Sequence, residues 1–155
     1  MSYRIEGLAP APFAPLTALG DGELAERGVA RVTADGSTGF PCRVSLDYPQ
    51  AGESVLLLNH VSHDVPTPFR TAYAIYVREQ AAEAPAFVDR LPPVLERRLL
   101  SLRGFDAAGM LRGALLAQPD EVEERIEALL GDGRVASIHA HTPAHGCFLA
   151  RIERN

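Results

Sequence analysis

The chain has no lysine: all fifteen of its basic side chains are arginine. Schiff-base catalysis, pyridoxal phosphate attachment, the phosphate-binding P-loop and the serine-lysine hydrolases each need a lysine at the reacting position, so all four are excluded. The absence reads as the codon usage of an arginine-favouring, alanine-rich genome rather than as selection for arginine's bidentate geometry. Positive charge is also scarce overall. Twenty acids leave a formal net charge of -5 and a pI near 5.5, which argues against a basic face for nucleic-acid phosphates.

Long apolar runs are missing too. The longest aliphatic run, Val55 to Leu58, falls far short of the ~20 residues that cross a bilayer as a helix. Pro10, Pro12 and Pro15 interrupt the opening segment, so no signal core forms there. The expectation is a cytoplasmic protein with neither nucleic-acid nor membrane partners. Cysteine is limited to Cys42 and Cys147; in that compartment the pair reads as two reduced thiols, a disulfide being the less favoured alternative. No G-x-S-x-G elbow and no H-E-x-x-H helix occurs. Two loose dinucleotide fingerprints, starting at Gly20 and Gly131, lack the strand-then-helix context that motif needs.

What is present fits one globular domain over residues 1–155. The composition is 46% hydrophobic and 23% charged, and a domain of this length buries roughly 70% of its unfolded surface. Weak alternation predicts a strand over Tyr3 to Leu8. Asp21 is expected to cap a short helix through Arg27, with Gly28 in the left-handed position beyond it. Strands are predicted over Val29 to Val32, Ser54 to Val61 and Arg70 to Arg78, and an extended segment over Phe40 to Leu46. Leu99 to Phe105 and Met110 to Ala117 read as a hairpin. Pro119 is placed at the first position of a helix that carries Val122, Ile126, Leu129 and Leu130 on one face and ends at Gly131. Val135 to His141 and Cys147 to Ile152 form a second hairpin. Strands outnumber helices and follow one another, so the predicted class is α+β: a mostly antiparallel or mixed sheet with one or two helices packed on one face.

Three constellations carry chemistry. His139 and His141, two apart on a strand, project from one face, and His145 or Cys147 would complete a metal site with them. Gly133 to His141 also has the spacing of the first cupin motif, without its glutamate. Cys42, beside Arg43, and Cys147 are candidate nucleophiles, since a thiolate needs an electropositive, partly exposed setting. Arg43, Arg70 and Arg103 each adjoin a strand and are candidates to hold a carboxylate or phosphate. The bland alternatives are a core histidine, small buried thiols and ordinary ion pairs.

A family resemblance rests on Phe40-Pro41-Cys42-Arg43, Gly52-Glu53, Thr67-Pro68-Phe69-Arg70, Ala74-Ile75-Tyr76-Val77-Arg78-Glu79, Leu102-Arg103, and His139-x-His141 leading to Gly146-Cys147-Phe148 and Arg151. With these residues the chain resembles, over nearly its full length, the bacterial family called domain of unknown function 1203. That family more often has tyrosine at Phe69 and asparagine at Thr142. The resemblance implies a single domain and no particular activity. Three roles therefore stand as expectations. The favoured one is a small-anion or small-ligand binding module using Cys42, Arg43, Arg70, Arg103, His139, His141 and Cys147. The second is a metal-dependent hydrolase using His139, His141 and His145. The third is a structural or interaction protein, for instance a homodimer formed through a sheet edge.

Overall fold

The computed structural model describes residues 1–155. Nine strands and two α-helices follow in the order β1 (Tyr3–Glu6), α1 (Asp21–Glu26), β2 (Ala30–Thr33), β3 (Ser54–His63), β4 (Thr71–Arg78), β5 (Ala86–Val88), β6 (Leu100–Phe105), β7 (Leu111–Ala117), α2 (Val122–Gly131), β8 (Ser137–His141) and β9 (Phe148–Arg154), with a 3-10 turn at Ala14–Ala18. They build two sheets where the sequence suggested one. The larger has the order β5-β1-β9-β8-β6-β7, the smaller β2-β3-β4, and every pairing is antiparallel. This is an α+β fold.

Both predicted hairpins form. In the first, the Asp106 carboxylate accepts the amides of Ala108 and Met110, each at 2.9 Å. This is the Asx geometry that lets aspartate open a tight loop. The second joins β8 to β9, and β1 closes against β9 with Tyr3 opposite Arg154. The chain's two ends thereby share one sheet.

Period-two alternation divides the larger sheet. Leu100, Leu102, Ile138, Ala140, Ile152 and Ile5 fall in one cluster with Val122, Ile126, Leu129 and Leu130 of α2. Burying each such aliphatic side chain contributes about 1.5–3 kcal/mol. A second cluster joins Leu24 of α1 to Phe13, Cys42, Val44, Leu56, Leu58, Ile75 and Val77. The two helices therefore serve different cores. Val55 and Leu56, adjacent in β3, are both fully buried, so this strand is covered on both faces there.

Three local expectations are corrected. Phe40 to Leu46 is not extended: Cys42 makes one isolated bridge to Tyr76, and the chain then turns, with the Leu46 amide bonded to the Cys42 carbonyl and Leu46 at φ 56°. Alternation there reflects a buried turn, in which Cys42, Arg43, Val44 and Leu46 are all sealed. Gly7 admits this turn, because a Cβ at that position would lie 1.8 Å from the Val44 carbonyl oxygen. Secondly, α1 is capped at Gly20, whose amide donates to Glu23 at 3.0 Å, not at Asp21. Thirdly, Pro119 lies in the turn before α2, where the Gln118 amide bonds the Glu121 carboxylate. No helix is long and apolar enough to cross a membrane.

Candidate functional site

The larger sheet gathers the predicted polar side chains by cross-strand register. Directly opposite residues in an antiparallel pair share a face. Arg103 of β6 stands opposite His139, which stands opposite Arg151 of β9; Ser101 stands opposite His141, which stands opposite Phe148. His139 and His141 are thus on one face, as their spacing required, with ring centroids 6.4 Å apart. Each is 2% exposed. Burial pushes His139 down to about 3, helped by His63, His141, Arg151 and Arg103; it pushes His141 down to about 4 against the opposing pull of the Gly146 carbonyl. Both imidazoles are neutral at pH 7.

His63 belongs to this cluster and was not singled out from the sequence. Its ring lies 4.9 Å from His139 and 4.1 Å from Phe105, and its Nε2 donates to the Gly109 carbonyl at 3.0 Å. Strict alternation along β3 would align Ser62, not His63, with His60. A bulge between Val61 and His63 shifts the register, so that His60 faces Tyr73 and His63 faces Thr71. One inserted residue thus exchanges the faces, and no residue pattern announced it. A second bulge, between β8 and β9, places Phe148 opposite His141.

The predicted metal set does not assemble. His145 sits in the β8–β9 turn, exposed, and lines a cleft without His139 or His141. No three His, Cys, Asp or Glu side chains are placed to hold one ion. The physical reason is the turn: His141 Nδ1 donates to the Gly146 carbonyl at 2.9 Å, and Gly146 adopts φ 75°, so the chain reverses before it can present a third ligand on that face.

Nor do the three arginines converge. Arg70 is exposed and pairs with Asp64 at 3.0 Å. Arg103 stays beside His139, its Nε 3.4 Å from the Ser101 hydroxyl. Arg43 alone enters the interior, 3% exposed. Its Nε donates to the Phe148 carbonyl at 2.7 Å and its Nη1 to the Pro41 carbonyl. No carboxylate pairs with it, and burial lowers its pKa to about 10.

Arg43 lines a cleft of about 410 Å³ with Arg98, Tyr73, Tyr76, Thr142, His145 and Cys147 among its walls. Arg98 was not anticipated. It is carried on an irregular segment and is held by the Tyr48 hydroxyl and by the Tyr48 ring, 5.7 Å from its guanidinium carbon. No aspartate or glutamate lines the cleft. Cys147 is half-buried there, its amide donating to the Thr142 hydroxyl at 3.0 Å. Cys42 does not line the cleft and is fully buried, its sulfur accepting the amides of Ser45 and Arg78 at 3.4 and 3.3 Å. Both cysteines are free.

Neither the search of curated proteins nor that of solved structures returned a match. Residues 39–154 match the family described as "Protein of unknown function (DUF1203)". The matched span carries Arg43, Arg98 and Cys147 of the cleft as well as the three buried histidines, and it leaves β1, α1 and β2 outside. The chain belongs to this family, which assigns no activity to it.

Proposed function

We propose that the protein binds a small anion, a carboxylate or phosphate compound, in the cleft between Arg43 and Arg98. One observation carries the reading. A buried guanidinium without a counter-ion lines an acid-free cleft, in a chain whose acids outnumber its arginines twenty to fifteen. Buried charges are normally paired, because removal from water is costly. A planar guanidinium matches the paired oxygens of a carboxylate or phosphate, and such charge-assisted bonds are about twice as strong as neutral ones. Tyr73, Tyr76 and Thr142, each with a hydroxyl donor, line the same cleft, and Leu57 and Ala74 supply apolar wall. Of the seven residues expected to bind, only Arg43 and Cys147 line this cleft; Cys42, Arg70, Arg103, His139 and His141 do not, and Arg98 is gained. Two free thiols are in keeping with the cytoplasmic location expected from the sequence.

Thermal unfolding in sodium phosphate and sodium succinate, against chloride at matched ionic strength, tests it. Binding to the folded state raises Tm in proportion to the logarithm of ligand concentration. Stabilisation by at least one anion is expected, and its loss in Arg98→Met with the ligand-free Tm unchanged. Equal Tm values in all three salts would overturn the reading.

A further inference from the structure

We infer that Cys147 is a reactive thiol that exchanges with anionic small-molecule disulfides. The inference rests on the anion reading of the same cleft and adds a reaction to it. The chain's two cysteines are treated in opposite ways. Cys42 is fully buried with two amide donors on its sulfur, whereas Cys147 is half-buried and lines the cleft.

A second feature of the cleft independently points to a ligand. Arg43, 3% exposed, commits Nε and Nη1 to carbonyls, and its Nη2 is left without a protein partner while not being sealed off. The residue that carries this free donor lines the cleft wall. Arg43 Nε bonds the carbonyl of Phe148, the residue that follows Cys147, and Arg43 and Cys147 line the same cleft. Thiol and guanidinium are therefore neighbours in one cleft.

The chemistry follows from that adjacency. The Cys147 thiol gives its proton to solvent, and the thiolate attacks one sulfur of a disulfide R-S-S-R. The Cys147–S bond forms as the S–S bond breaks, and the departing R-S⁻ takes a proton from water. One thiol is oxidised to a mixed disulfide and one disulfide half is reduced, with no further reagent. A thiolate and an anionic disulfide repel one another in water. Arg43 and Arg98 offset that repulsion, hold the acidic end and stabilise the departing thiolate. The substrate class is a disulfide bearing carboxylates, and a cationic disulfide meets two arginines instead.

The test uses the full chain, reduced and desalted, with oxidised glutathione as the anionic probe and cystamine as the cationic one. Intact and peptide mass measure adduct formation, and each rate is divided by that of free N-acetylcysteine. Expected are one adduct per chain, on Cys147, a normalised preference of about tenfold or more for glutathione, and its decline with added salt. Arg98→Met should slow glutathione about tenfold and speed cystamine, so that the preference collapses; Cys147→Ser should form no adduct. Labelling of Cys42 instead, equal normalised rates for the two disulfides, or no effect of Arg98→Met would overturn the inference. Phosphate or succinate stabilisation of Cys147→Ser separates the two ideas. If it persists while exchange fails, only this inference falls; if both fail, the anion reading falls with it.

Discussion

Arg43 Nε donates to the carbonyl of Phe148, 105 residues away in sequence, at 2.7 Å. This bond ties the buried turn after Cys42 to the start of β9, so the side chain that lines the cleft also fastens its two walls. Arg43→Met should leave the Phe148 and Pro41 carbonyls unpaired. The expected loss is about 2–4 kcal/mol, from buried acceptors that lose a charged donor. Urea unfolding measures it, and a change under ~1 kcal/mol would show that the guanidinium does not fasten the walls.

Stability should fall as pH drops below neutrality. His139 and His141 titrate near 3 and 4 when folded, against an ordinary 6.5. Between these limits the unfolded chain binds more protons than the folded one, so stability present above pH 6.5 is lost as pH falls towards the folded values. With both histidines contributing, the slope approaches ~2.7 kcal/mol per pH unit near pH 5. Denaturation midpoints of wild type and His139→Leu across pH 4.5–7 isolate one residue's share. Parallel curves would contradict it.

At neutral pH the same substitution should not be costly. His139 Nδ1 is buried without a hydrogen-bond partner, and such an orphan costs about 1–3 kcal/mol. The residue also lines a cavity of about 420 Å³ with His63, Ser137 and Arg151. His139→Leu, close in volume, is expected to leave stability at pH 7.5 unchanged or raise it by up to ~1 kcal/mol. A drop of more than ~2 kcal/mol would mean that the imidazole is satisfied in solution.

Gly109→Ala should be among the more damaging single changes. Gly109 has φ 84°, and an added Cβ would lie 2.7 Å from a Val65 methyl. Its carbonyl also receives His63 Nε2 and the Thr67 hydroxyl. Left-handed strain plus the clash predict about 2–3 kcal/mol of destabilisation. Calorimetric Tm checks this, and an unchanged Tm would show that the β6–β7 loop shifts freely.

The segments legible in the sequence were those with one period and local punctuation. Val122, Ile126, Leu129 and Leu130 recur at helical spacing and fill one core; the β6–β7 and β8–β9 hairpins follow from alternation bounded by turn residues. The strand spacing of His139 and His141 sufficed to put them on one face. His63 was hidden because a bulge, not the residue order, chose its face. Arg98 was hidden because it sits on an irregular segment with no periodicity to read.

By itself the sequence determined the α+β class, the two hairpins, the exclusion of lysine chemistry and the shared face of two histidines. These depend on composition and on contacts between near neighbours, which local periodicity encodes. Only the tertiary structure decided that Arg43, of three candidate arginines, is buried without a counter-ion, that Arg98 joins it, and that Cys147 rather than Cys42 faces the cleft. Burial and ion pairing depend on which distant segments meet. Arg70 meets Asp64 in its own loop, whereas Arg43 meets a strand 105 residues away.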